Sequence, residues 1–157
     1  MRPRLRNFSF LLNEVSRRYV LRFEQRAERH ALTLAQCRVL VRLEGQEGIS
    51  QARLGQLAGM DAMTVVRTLD RMEEQGLIER RADPADRRAR CLHLTAKGKR
   101  MVEEVWRLVE ATQAEVFAGV GSAQRDTFLE VLERVHANVT ALGEDDLPAP
   151  RSRKKKP

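Results

Sequence analysis

The stretch SQARLGQLAGMDAMTVVRTLDRMEEQG, residues 50–76, decides the fold. Ser50 is a good N-cap, and Leu54, Leu57 and Ala58 fall on one side of the short helix behind it, which Gly59 stops. Asp61 then offers a second N-cap. Val65, Leu69 and Met72 recur behind it at helical spacing, and Gly76 closes the helix. Two short helices joined by the tight turn Gly59-Met60 make a helix-turn-helix. Residues 77–95, LIERRADPADRRARCLHLT, follow directly. They hold two strand-like runs, 77–81 and 89–94, on either side of the polar loop 83–88. A β-hairpin placed straight after a helix-turn-helix makes a winged helix.

Working outward, Phe8, Leu12, Val15, Tyr19 and Phe23 recur every three or four positions and predict a long amphipathic helix ending near Glu28. Thr33 with Gln36 forms a capping box for a second helix through Leu40 and Leu43 to Gly45. Ile49 is placed to make a one-bridge strand. Beyond the hairpin, Thr95 caps a fifth helix with the stripe Met101, Val105, Leu108, Thr112 and Val116, broken at Gly119-Val120-Gly121. A sixth helix after Ser122 carries Phe128, Leu132, Val135, Val139 and Leu142. The first, fifth and sixth helices have apolar sides too long for a small lobe to cover, which predicts a homodimer interface. The expected fold is therefore mainly α with a small β-hairpin wing. A dimerisation helix (1–32) precedes the winged lobe (33–95). Two dimerisation helices (96–143) follow it, and then a basic tail (144–157) expected to be disordered.

With 157 residues, 42% of them hydrophobic, the chain suffices for one domain or a fused pair of small lobes and excludes a large multidomain enzyme. No apolar run approaches the roughly 18 residues of a membrane span, and Arg2, Arg4, Arg6, Glu14 and Arg17 interrupt any signal core. A soluble, cytoplasmic protein is expected. The net charge of +7 conceals a division: residues 1–100 carry 21 Lys and Arg against 12 Asp and Glu, whereas residues 101–150 carry 3 against 10. A basic front suits a polyanion. Of the 29 basic residues 24 are arginine, the better donor for bidentate contacts to phosphates and guanine edges. Cys37 and Cys91 lie far apart with no CxxC, and His30, His93 and His136 are scattered singly. Neither a disulfide framework nor a metal site is indicated. No nucleophile, acid–base or phosphate-loop motif supports catalysis, and no cofactor is expected.

The order of elements, the block Val65 to Arg80, the run Asp83-Pro84-Ala85-Asp86-Arg87-Arg88-Ala89 and then Leu92-His93-Leu94-Thr95 resemble the MarR (multiple-antibiotic-resistance regulator) family of bacterial transcription factors. The wing signature, Asp-x-Arg with the following Leu-x-Leu-Thr, is similar to the SlyA-like branch. The resemblance runs from the first helix to about Leu142. It implies a triangular homodimer whose two winged lobes bind double-stranded DNA at a pseudo-palindromic operator. Two features depart from it. Arg53 stands where a capping-box carboxylate is expected after Ser50, and the basic tail Arg151 to Lys156 is not part of the family core.

Ala62, Met63, Thr64, Arg67 and Arg71 fall off the buried stripe and can face the major groove, with Arg67 the best candidate for a bidentate guanine contact. The plainer reading is a solvated face on which Arg67 pairs with Asp70, or Arg71 with Glu74. Asp86 precedes Arg88 by two residues, a spacing at which a carboxylate can hold a guanidinium extended. The resemblance implies that Arg88 enters the minor groove and Asp86 orients it; a charged, soluble hairpin tip is the alternative. Arg87, Arg90, Arg80 and Arg81, with Ser50 and Arg53, are candidates for phosphate contacts or solvent charge.

The resemblance also implies a small-molecule effector pocket between the first, second and fifth helices and the DNA-reading lobe. There Arg17 and Arg67 are candidates to hold an aromatic carboxylate, with Cys37 in the wall. Surface charge is the other reading of both arginines. Three functional hypotheses follow: a repressor released by a small aromatic or phenolic effector, a thiol-based redox regulator acting through Cys37, and a non-specific architectural DNA-binding protein.

Overall fold

The computed structural model describes residues 6–82 and 90–141. Asp86, Arg87 and Arg88 of the hairpin tip, Leu142 and the tail from residue 144 lie outside the described residues. Among the described residues six helices and three strands follow one another: α1 (Phe8–Glu28), α2 (Leu34–Gly45), β1 (Ile49–Ser50), α3 (Gln51–Ala58), α4 (Ala62–Glu74), β2 (Ile78–Ala82), β3 (Arg90–Leu94), α5 (Ala96–Val116) and α6 (Ser122–Ala141). This is the mainly helical winged architecture that residues 50–95 predict. It falls into two compact units, divided between Val116 and Phe117.

Local chemistry sets the boundaries of the first unit. Thr33 Oγ1 accepts the Gln36 amide at 3.2 Å while Gln36 Oε1 accepts the Thr33 amide at 2.9 Å, so the expected capping box opens α2. Ser50 Oγ accepts the Arg53 amide at 3.2 Å and opens α3. Gly59 ends α3 at φ 61°, a left-handed conformation in which a Cβ would be strained. Asp61 Oδ1 accepts the Thr64 amide at 3.0 Å and opens α4. Thr95 opens α5 by accepting the Gly98 amide at 3.0 Å and also donates its hydroxyl to the Gly76 carbonyl at 2.7 Å, which ties the start of α5 to the end of α4.

The sheet is antiparallel in the order β1-β3-β2, with Ile49 opposite Leu92, and Ile78, Arg80 and Ala82 opposite Leu94, Leu92 and Arg90. Its inner face carries Ile78, Leu92 and Leu94 onto Leu40, Leu43, Leu54, Val65, Leu69 and Met72. Removing the side chain of a wholly buried leucine such as Leu54 or Leu69 costs roughly 2–5 kcal/mol. Cys91, which alternates with Leu92 and Leu94 along β3, is buried as well. The lower half of α1 completes this core with Phe23 and Ala27, and α5 does so with Val102, Val105 and Leu108. In the second unit Phe117 and Phe128 meet edge to face with ring centroids 6.0 Å apart, and α6 has no buried residue.

Candidate nucleic-acid interface

Helix α4 presents two contrasting sides because its three buried residues, Val65, Leu69 and Met72, share one face. The other side shows Met63, Thr64, Arg67 and Arg71 to solvent, as the sequence reading expects, and Met63 is 64% exposed. Ala62, at the first position of the helix, is exposed as well. Neither Arg67 nor Arg71 pairs with a carboxylate among the described residues. Asp70, the suggested partner of Arg67, binds Arg80 instead.

The leading turn of α4 is held rigid. Thr64 donates its hydroxyl to Asp61 Oδ2 at 2.6 Å, in addition to the amide bond that caps the helix. These two donations, the hydroxyl first, hold the Asp61 carboxyl below its usual range, so the cap stays ionised at neutral pH. The hydroxyl of Thr64 is therefore occupied by the cap. Val66, not singled out from the sequence, adds a second exposed apolar side chain to the same helix; its only sequence signal is its place off the Val65/Leu69/Met72 stripe.

The basic residues around this helix differ in what they touch. Ser50 Oγ accepts the cap bond of α3, whereas the Arg53 guanidinium meets only Gln56 among the described residues, at 3.4 Å. Arg90, the first residue of β3, is exposed and without an ion-pair partner among the described residues. Arg81 donates to Glu79 Oε1, through Nε at 3.1 Å, on the outer face of the sheet. Arg80 lies on the inner face with Ile78, as the two-residue period of a strand dictates. Its Nη2 donates to Asp70 Oδ1 at 2.6 Å and its Nη1 to Glu73, while its amide donates to Glu73 Oε1 at 3.2 Å.

The residues expected round an effector lie in different surroundings. Arg17 is exposed on α1 and paired with Glu14 at 2.9 Å. Cys37 is 3% exposed within the core, and burial pushes its thiol up to about 11. Arg67 stands on the outward face of α4. A separate cleft runs between α1 and α5, lined by Val15, Arg18, Tyr19, Leu21, Arg22, Gln25, Glu115 and Val116. At its edge Glu115 accepts Arg22 Nε at 2.7 Å and Arg26 Nη2 at 2.5 Å, and Arg26 Nε also donates to Thr112 Oγ1 at 3.2 Å. Arg22 and then Arg26 hold the Glu115 carboxyl down at about 2. The sequence reading missed this latch, which joins residues 22 and 115 from distant parts of the chain.

The MarR family model matches residues 32–89, from the start of α2 to the wing. A solved protein from Listeria innocua is 30% identical over 88% of this chain and 96% of its own, with a TM-score of 0.70. A regulator of the MarR family from Silicibacter pomeroyi is 27% identical over 83% of this chain and 88% of its own, with a TM-score of 0.69. BpsR of Bordetella bronchiseptica, whose DNA binding is regulated by 6-hydroxynicotinic acid, is 29% identical over 83% of this chain and 98% of its own, with a TM-score of 0.70. Among the described residues no helix is long and apolar enough to cross a membrane. With the family model seated on the winged lobe, and solved regulators matching nearly their whole lengths, residues 32–89 match the MarR family and the chain is similar to transcriptional regulators of that family.

Proposed function

We propose that this regulator is a cytoplasmic homodimer that binds a pseudo-palindromic DNA operator sequence-specifically and represses until a small aromatic or phenolic molecule releases it. The observation that carries this reading is the outward side of α4. There Met63 is exposed, and Arg67 and Arg71 have no carboxylate partner among the described residues, on a helix whose leading turn is fixed by Asp61. Arg67 and Arg71 donate to base edges in the major groove, Ala62, Met63 and Thr64 shape the approach, and Arg88, oriented by Asp86, enters the adjacent minor groove. Ser50, Arg53, Arg81, Arg87 and Arg90 supply phosphate contacts, which set affinity rather than sequence preference. The wing run from Asp83 to Thr95 supports the SlyA-like branch.

Two independent surfaces support the dimer. Phe10, Leu11, Leu12 and Val15 are exposed on the leading half of α1, and Phe128, Leu129, Val131 and Val139 on α6. Two symmetric lobes place half-sites about one helical turn apart. For the effector, Arg67 is the proposed anion holder; Arg17, paired with Glu14 on α1, and Cys37, within the core, lie in other surroundings. A ligand that engages Arg67 withdraws it from DNA, and BpsR's response to an aromatic carboxylic acid supports that class of molecule. The thiol reading is opposed by burial, which pushes the Cys37 thiol up to about 11 and so keeps it protonated at neutral pH.

The test is fluorescence anisotropy, at two salt concentrations, with the duplex upstream of the chain's own coding region and with a shuffled duplex. A preference of about a hundredfold for the first, weakened by aromatic carboxylates, is expected. Equal affinity for both, with a steep salt slope, supports the architectural reading instead.

A further inference from the structure

The same DNA-reading function leaves one question about the lobe's geometry: what sets the angle between the helix that enters one groove and the strand that leads to the wing. Val65, Leu69 and Met72 seat α4 on the core, but the far side of the helix next to β2 is polar. Asp70 and Glu73, one turn apart on α4, both turn toward β2. Arg80 answers them from the inner face of β2, in register with Leu92. One guanidinium thus bridges two carboxylates, and the Arg80 amide adds a third bond, the second to Glu73. The Arg80 side chain is only 21% exposed, and its guanidinium is engaged by these two carboxylates rather than offered to an incoming phosphate.

We propose that Arg80 is a positioning residue: with Asp70 and Glu73 it clamps the recognition helix to the wing strand, and so sets the spacing between major-groove and minor-groove readout. A planar guanidinium suits this task because its forked donors fix direction as well as distance, which an ammonium does not. The clamp also cancels charge. Asp70 and Glu73 lie on the helix that carries Arg67 and Arg71, and uncompensated they repel the DNA backbone.

This inference rests on the DNA-binding reading above, and its test separates the two. The wild-type protein first selects a site from a randomised duplex pool, and affinities are then compared on the selected and a shuffled duplex. The double variant Asp70→Asn/Glu73→Gln removes two negative charges and frees Arg80. If Arg80 is a positioning clamp, affinity for the selected duplex falls about tenfold or more while the shuffled duplex binds as before or tighter. If Arg80 is instead a phosphate contact restrained by its neighbours, both duplexes bind tighter, and the clamp is overturned. Arg80→Lys keeps the charge and loses the fork. It is expected to lose discrimination between the duplexes while keeping its affinity for the shuffled one, which also reports a folded lobe; undiminished discrimination overturns the proposal. A wild-type protein that selects no site removes the DNA-binding function itself, and the clamp with it.

Discussion

Gly98 has no room for a methyl group. A Cβ built on it would lie 2.0 Å from the Leu77 carbonyl oxygen, because Thr95 draws the first turn of α5 onto the end of α4. Gly98→Ala must push backbone from backbone, so a loss of about 3 kcal/mol and a melting temperature lower by roughly 10 °C are expected in a thermal scan. Glu115 acts through charge instead. Its carboxyl ionises at about 2 in the folded chain against an ordinary 4.5, so the stability it contributes is present above about pH 4.5 and lost as the pH falls toward 2. Glu115→Gln should therefore melt below the wild type at pH 6 and together with it near pH 2; a gap equal at both pH values would mean that the ion pairs with Arg22 and Arg26 are not its source. Neither residue was legible as a partner from the sequence. Gly98 carried a weak signal, a glycine in the first turn behind a Thr cap where helix propensity argues against one.

The helices of the winged lobe are held to one another by polar groups at their ends. Gln36 is the clearest case: its oxygen completes the capping box of α2, while its amide donates to Gln75 Oε1, just past the end of α4, at 2.8 Å. Lys97 binds the Gln75 carbonyl from α5, also at 2.8 Å. Three helices therefore meet at one glutamine. Gln36→Ala removes the box and leaves buried polar atoms unmatched, for which a loss of about 2–3 kcal/mol in urea unfolding is expected. Thr33→Ala, which costs only the cap, should lose about 1 kcal/mol. The capping box could be read from Thr33 and Gln36 alone because it is a property of four consecutive residues. The bond to Gln75 could not, since a pair 39 residues apart has no local signature.

Each of the two units, taken by itself, exposes more apolar surface than a monomer needs. The leading half of α1 shows Phe10, Leu11, Leu12 and Val15, whereas the trailing half of the same helix buries Phe23 and Ala27. Helix α6 buries nothing. Periodicity announced both helices correctly, but a stripe looks alike whether it meets the chain's own core or another protomer. Phe10→Asp together with Val131→Asp places charge on both faces while leaving the core of the winged lobe untouched. Sedimentation velocity should then show a monomer with unchanged helix content, and the preference for a palindromic duplex should fall toward that for a single half-site. A dimer that persists in this variant would place the interface elsewhere.

What could be known from the residues in order was whatever local stereochemistry decides. Thr33, Ser50, Asp61 and Thr95 cap because each precedes a helix, Gly59 turns because only glycine tolerates φ 61° without strain, and Leu92 and Leu94 alternate because a strand repeats every two residues. Those rules place α4 with its buried stripe and its exposed outward face from the residues alone. The choice of partner for each charged side chain was decided only in three dimensions. Arg80 and Arg67 are both arginines near Asp70, yet strand alternation and packing give Asp70 to Arg80 and leave Arg67 facing outward. An ion pair depends on distances between segments, and those distances exist only once the core has closed around Leu54, Leu69 and Leu92.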